Sequence, residues 1–504
     1  MLRLRRRAYL DNNATTEVSP LVQKTMRDVL KNCYGNPSSR YRIARAAAAI
    51  LEDAREQVAA AVGAETAEII FTGSASEANN QILQTFVPEN CAGRDTIVST
   101  PIEHPAVLKT LDYLAGRGMR IVFCPLDTAG RIIPEQLAAL VDGRTALVCC
   151  MLANNETGVI QDLAPVVALA RRHGARVFAD GVQALGKMPV DLHRLDVDYA
   201  SFSAHKIHGP KGVGALYAKA GSPLVPLIHG GHQEGGLRAG TEGLHNIAGF
   251  GVACREVPKL LSRTQQVAWL RQRLADSIRA MLPAAVINTP LDCAVPNTLS
   301  VTLPGFDNGD AIAFLDYHGI AVSAGSACNT QANEPSHVLK ALGLSDEAAR
   351  QTLRFSLSAE TTAADIRYVE RVLRDYLLER KTPVTMVNPA QVNEDMLFNE
   401  KLFILDIRNK VDRKLLKGLP GSHEAGLITL GRYLEQIPRR RTILVVCQGG
   451  TDGPIAAYYL RAKGYRHVSF VMGGIVGWKL CQPELYKRLG NTNMTVLEAR
   501  KNAA

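Results

Sequence analysis

No stretch of this 504-residue sequence approaches the roughly 20 uninterrupted apolar residues that a bilayer crossing requires, and nothing in it has the layout of a secretory signal. A soluble protein is expected, with no membrane partner. The basic opening 1–7 runs within a few residues into Tyr9-Leu10-Asp11-Asn12-Asn13-Ala14-Thr15-Thr16, which leaves too little chain for a transit peptide. The ten cysteines lack paired metal-site spacing, so no metal centre is expected and a reducing, cytoplasmic compartment fits best. Cys149-Cys150 falls in an apolar run, where a small buried hydrophobe is the expected role. Tandem repeats, low-complexity tracts and nucleic-acid fold signatures are also missing.

What is present is ordinary globular usage, 46% hydrophobic and 21% charged, with length for two or three domains. The net charge of +10 is unevenly spread: residues 381–504 carry 19 Lys+Arg against 10 Asp+Glu, which leaves 39 against 38 for residues 1–380. The basic excess belongs to the tail.

From about Ala67 to Leu216 short β-rich runs alternate with helical patterns, for example Asp95 to Ser99, Ala146 to Met151 and Arg176 to Phe178. This is the pattern of an α/β unit with a mostly parallel sheet, whose ligands gather at the carboxyl ends of strands. Val257 to Met281 reads as one amphipathic helical run leading into a smaller α+β region. The small-residue stretch Val322 to Pro335 within that region is expected to be a mobile loop. Lys381-Thr382-Pro383 breaks the helical pattern and marks a boundary, after which a second α/β unit begins with buried strands at Phe403 to Arg408 and Thr442 to Cys447.

The strand ends carry the chemistry. Thr72-Gly73-Ser74-Ala75-Ser76 opens a helix as an anion cradle suited to phosphate. Glu103-His104, Asn154-Asn155-Glu156-Thr157-Gly158 and Asp180-Gly181-Val182-Gln183 follow, each polar where a strand stops. Ser203-Ala204-His205-Lys206 then precedes the turn His208-Gly209-Pro210, which holds Lys206 out at a strand end. A lysine there can form a Schiff base with an aldehyde cofactor, beside anion-binding Ser203 and His205.

This series, with Gly35-Asn36-Pro37-Ser38-Ser39, Arg238-Ala239-Gly240-Thr241, Gly325-Ser326-Ala327-Cys328 and Arg354-Phe355-Ser356, resembles a fold-type I pyridoxal-phosphate enzyme of the class V aminotransferase group. Within that group it is similar to a cysteine desulfurase of the NifS/IscS kind over nearly all of residues 8–380. The resemblance implies a large α/β domain at about 16–255 and a small α+β domain made of 1–15 plus about 256–380. It makes Lys206 the Schiff-base lysine and Cα base, stacks His104 on the cofactor ring, and pairs Asp180 with the ring nitrogen. Gln183 and Asn155 contact the ring hydroxyl or substrate, and Ala75, Ser76, Ser203 and His205 hold the phosphate with Thr241 from a second subunit, which implies a homodimer. Arg354 takes the carboxylate of L-cysteine, and Cys328 attacks its sulfur to leave alanine and a persulfide. Selenocysteine lyases and other members of the group are the alternatives. Gly235 where relatives often have arginine, and Ser76 for a frequent threonine, depart from the pattern without removing a required group.

Residues from about 385 to 490, within a tail unit of 381–504, resemble a rhodanese-like domain. The markers are Leu405-Asp406-Ile407-Arg408, Pro420-Gly421-Ser422-His423, the strand-then-Cys447 loop and Gly473-Gly474-Ile475-Val476-Gly477-Trp478. The Gly-rich loop is expected to stabilise a Cys447 thiolate or persulfide, but Asp452 occupies the usual arginine position and opposes ionisation. Cys447 is therefore expected to take sulfur from Cys328 rather than from a free anion; an inert recruitment module in a sulfur-trafficking scaffold is the alternative. The basic tail can meet tRNA during thiolation or an acidic sulfur carrier, or be a solvated face with no particular partner, which is the commonest case, and an iron–sulfur scaffold is a further acceptor that the resemblance implies.

Overall fold

The computed structural model describes residues 8–325, 335–378, 384–450 and 452–490. The largest sheet has seven strands in the order Ile69–Thr72, Gly214–Ala218, Tyr199–Ser203, Arg176–Asp180, Thr145–Cys149, Thr96–Ser99, Arg120–Phe123. All neighbours are parallel except Gly214–Ala218, which runs antiparallel to both strands beside it. The central strands are apolar on both faces because helices cover both, as a parallel sheet requires. Gly214 lets the antiparallel strand pass close under the cradle: a Cβ there would sit 2.6 Å from the Ser74 carbonyl carbon and 2.7 Å from the Ala75 nitrogen.

A second layer is a three-stranded antiparallel sheet, Thr352–Ser356 beside Thr298–Thr302 beside Val286–Ile287, with Ala8–Tyr9 paired parallel to Ile320–Ala321. Helices Thr264–Met281 and Ala363–Leu378 contribute to its separate core. The helical run expected over Val257–Met281 is broken into Val257–Leu261 and Thr264–Met281. Ser262 Oγ donates to Lys259 O and Thr264 Oγ1 to Leu261 O, both at 2.8 Å, so the hydroxyls compete for the carbonyls at the break.

The tail sheet is parallel throughout, in the order Thr385–Val387, Val468–Val471, Thr442–Val446, Leu402–Asp406, His423–Glu424, with a core on each face. Cores that separate in this way support our proposed division near residues 15, 255 and 380. The tail packs its helix Asp452–Ala462 on helix Asn308–Tyr317 of the small layer. Tyr458 mediates that contact, its ring 5.2 Å from Phe314 and its hydroxyl donating to the Asp310 carboxylate, which also accepts from Tyr376 at 2.9 Å.

Arg408 and Asp406 form a buried pair beneath the tail sheet at 2.7 Å, and Arg408 also donates to Leu416 O and Gln448 Oε1. Arg408→Ala strands the Asp406 carboxylate in the core, at an expected cost of about 3–5 kcal/mol. Hydrogen exchange should show strands Leu402–Asp406 and Thr442–Val446 losing protection together, while the seven-stranded sheet keeps its own.

Candidate active site

Strand Tyr199–Ser203 ends in a single 3-10 turn, Ala204–Lys206. Gly209 closes it by donating to Ala204 O at 2.9 Å, and a Cβ at that glycine would lie 2.8 Å from the same oxygen. Residues 11–16 clamp the turn from outside: Thr16 donates to His205 O through both its amide and its hydroxyl, at 2.9 Å each. Lys206 Nζ donates to Asn13 O at 2.6 Å and Ala14 O at 2.8 Å. The lysine is thereby held at the mouth of a cavity of about 300 Å³ at the carboxyl ends of the strands.

Ala75, Ser76, His104, Asn155, Asp180, Gln183, Ser203, His205, Lys206 and Arg354 all line this cavity. Ser74 caps helix Ala75–Thr85 by accepting from Glu77 N, so the helix start faces the cavity with its amide dipoles. Asp180 is buried, accepting from Asn79 Nδ2 at 3.1 Å and Val182 N at 3.0 Å. His104 caps helix Pro105–Ala115, its Nδ1 accepting from Ala106 N at 3.1 Å, which leaves the proton on Nε2. Burial holds the His104 ring below its usual range, with Lys206 and His337 adding to the effect and Asp180 opposing it. His205 is pushed down to about 4, by burial first and then by Lys206 and Lys211. Both imidazoles are neutral at pH 7.

Arg354 enters from strand Thr352–Ser356 of the other layer and is fully buried. It pairs with Asp11 at 2.8 Å and donates to Asn155 O and Gly325 O, while its Nε has no partner among the described residues. Thr241 is exposed and lies off this cavity. Cys328 lies outside the described residues.

Four lining or adjoining residues escaped the residue-by-residue assignment: Asn13, Asn79, Glu156 and Lys187. Glu156 is buried, accepts from Ser336 Oγ at 2.5 Å, and is held above the ordinary carboxylate range by that burial. Its place inside Asn154-Asn155-Glu156 was the available signal. Lys187 had only its spacing, four residues after Gln183.

Cys447 sits apart, at the end of strand Thr442–Val446 in the tail, with its thiol 1% exposed. Gly450 N donates to its sulfur at 3.1 Å. The expected thiolate stabilisation is nevertheless outweighed: burial pushes the thiol up, the amides of Gly453, Gly450 and Asp452 lower it, and the Asp452 carboxylate raises it again.

A strand-end lysine between an anion cradle, a buried aspartate and a buried arginine defines the class. The chain belongs to the class-V aminotransferase family, whose model, Aminotransferase class-V, matches residues 8–369. A rhodanese-like domain follows at residues 389–481. Within the family the chain is 39% identical over 369 residues to a cysteine desulfurase of Klebsiella pneumoniae, spanning 73% of this chain and 92% of that protein. It is 43% identical over 371 residues to a cysteine desulfurase of Cereibacter sphaeroides, spanning 73% and 95%. The solved structure of a NifS-like protein superposes with a TM-score of 0.70 at 39% identity, covering 74% of this chain and 99% of that one.

Alkylation of Cys447 should rise with pH around a midpoint above the ordinary thiol value. Removing the adjacent charge favours the thiolate, so Asp452→Asn is expected to move that midpoint down and to speed labelling at pH 8 several-fold. Iodoacetamide labelling followed by peptide mass analysis reads both.

Proposed function

We propose that the chain is a pyridoxal-phosphate-dependent cysteine desulfurase whose tail receives the released sulfur. The observation that carries this reading is the convergence of Lys206, Asp180 and Arg354 on one cavity at the carboxyl ends of the strands. The donor set fits the cofactor. The helix start at Ser74, Ala75 and Ser76 with Ser203 suits a phosphate, and neutral His205 can donate to it without adding charge. Asp180 suits a protonated ring nitrogen, and Asn79 Oδ1 behind it, without a partner among the described residues, leaves one acceptor for a further donor. His104, flat and neutral, lines the same cavity and suits a ring face. Bound there, pyridoxal 5′-phosphate supplies an electron sink for charge developing at the substrate Cα.

The chain's own groups do the rest. Arg354, its Nε free of partners among the described residues, takes the substrate carboxylate and fixes the Cα–H bond toward Lys206. Lys206 is the covalent anchor and then the base that removes the Cα proton. Cys328 as thiolate attacks the substrate sulfur: the carbon–sulfur bond breaks, a sulfur–sulfur bond forms, and cysteine leaves as alanine. Transfer from the Cys328 persulfide to the Cys447 thiol regenerates Cys328 and leaves the persulfide on Cys447. Thr241, exposed on its own chain, completes the phosphate site of a second subunit in a homodimer. The onward acceptor is an iron–sulfur scaffold, a sulfur carrier or a tRNA-thiolation partner meeting the basic tail.

The deep burial of Cys447 favours a second reading for the tail alone, recruitment without sulfur transfer. Single-turnover reaction with sulfur-labelled L-cysteine, followed by non-reducing peptide mapping, decides both points. Label on Cys328 and then on Cys447, with alanine formed in equal amount, is expected. Cys328→Ala should lose both labels and at least about a hundredfold of the alanine rate. Label that stops at Cys328 assigns the tail to recruitment, and alanine released at the wild-type rate by Cys328→Ala overturns the mechanism.

A further inference from the structure

The basic excess of the tail has a definite place in its fold. The tail sheet is parallel throughout, so its strand starts gather on one edge, and Cys447 follows a strand end on the other. Three neighbouring strands are entered through cations: Lys401 before Leu402–Asp406, Arg439, Arg440 and Arg441 before Thr442–Val446, and Lys463 and Arg466 before Val468–Val471. All six are exposed. Backbone pairing draws the three entries together, since Thr442 N donates to Lys401 O at 3.0 Å and Ile443 N to His467 O at 2.8 Å. Arg439 is held in place, its guanidinium 4.9 Å from the Tyr465 ring centroid and donating to Lys463 O at 3.2 Å. The ion pairs of the tail join Arg408 to Asp406, Arg413 to Glu424, Lys487 to Glu484 and Arg488 to Glu394, so among the described residues none falls on this edge.

We propose that this edge binds the phosphate backbone of a folded nucleic acid. Within the three entries, 400–401, 439–441 and 463–467, Glu400 is the one carboxylate. A row of cations with so little acid between them matches a partner whose charges are closely spaced and all of one sign, and the arginine fork suits phosphate oxygens. A protein partner, even an acidic one, anchors through apolar side chains at the centre of its interface. Among the described residues no exposed large apolar side chain belongs to this edge. No exposed aromatic stands there to stack an unpaired base either, Tyr465 being buried, so the edge suits a backbone rather than splayed bases. Strand Thr442–Val446 separates the edge from the Cys447 loop by about 17 Å, at roughly 3.3 Å for each of its five residues. A nucleic acid held there leaves that loop open to a sulfur acceptor.

The inference stands whether or not Cys447 carries sulfur, because binding is read directly. Fluorescence anisotropy of the full chain with a labelled RNA hairpin, and with a DNA duplex of the same stem sequence, reports it. Affinity is expected to fall at least about a hundredfold between roughly 50 and 200 mM salt, as counterion release from several phosphates requires. Arg440→Gln/Arg441→Gln should weaken binding at least about tenfold at fixed salt and lower the salt slope by about two, whereas Arg440→Lys/Arg441→Lys, which keeps both charges, should stay within about threefold of wild type. Lys410→Gln/Lys414→Gln removes the same charge from helix Lys410–Leu415 at the Cys447 edge and should change binding by less than about twofold. The probe that binds tighter identifies the natural source of the backbone. Binding of neither probe, or a flat salt dependence, overturns the proposal. So does an equal loss from the two glutamine pairs, which makes the attraction one of net charge alone. Polyglutamate that competes as well as the RNA hairpin overturns it in favour of an acidic protein.

Discussion

The site depends on a short strip of chain, residues 10–16, that crosses from one sheet to the other and is hydrogen-bonded to both. On the small side Ser356 N donates to Leu10 O, Asn12 N donates to Ser356 O, and Asp11 pairs with Arg354. On the large side Thr16 closes over the His205 carbonyl, and the carbonyls of Asn13 and Ala14 receive Lys206. Asn13 joins the two layers with its side chain as well, donating to Asn155 O and Thr298 Oγ1 and accepting from Asn297 and Lys187. Each buried polar group in the strip is satisfied by one that itself needs a partner. Loss of any member therefore strands others, at about 1–3 kcal/mol apiece.

That lattice fixes the distance between Lys206 and Arg354, the proposed base and substrate anchor, which come from different sheets. It also sets the charge balance. Lys206 and Arg354 line the pocket, Asp180 and Asp11 beside them are already engaged, and both imidazoles are held neutral. On the proposed reading, an anionic cofactor and the carboxylate of the substrate meet this charge balance. Glu103, pushed up to about 7 by burial, also lies near Asp180, and when protonated it spares Asp180 a like-charged neighbour.

Much of this was legible in the sequence because strands and their ends announce themselves locally. Apolar runs gave the central strands to within a residue or two, and the polar tetrads after them gave Asp180, Gln183, Ser203 and Lys206. Lys187 was hidden for the opposite reason. A lysine seven residues past a strand end reads as surface, and only the walls at Leu260 and Leu357 and its bond to Asn13 draw it inward. The break at Ser262–Arg263 turns on two hydroxyls choosing backbone carbonyls, a decision that amphipathic spacing cannot express. Cys447 shows the limit most clearly. Its loop composition reads correctly as a ring of amides, yet how deep the sulfur lies decides its ionisation, and depth is a property of the fold.

Two lysines bonded to one asparagine make the attachment point the most direct test of the account. Loading the full chain with pyridoxal 5′-phosphate, reducing it with borohydride and mapping the modified peptide locates the covalent bond. The phosphopyridoxyl group on Lys206, and absent from Lys206→Ala, is the predicted result. Modification of Lys187 instead, or loading that survives Lys206→Ala unchanged, would contradict it.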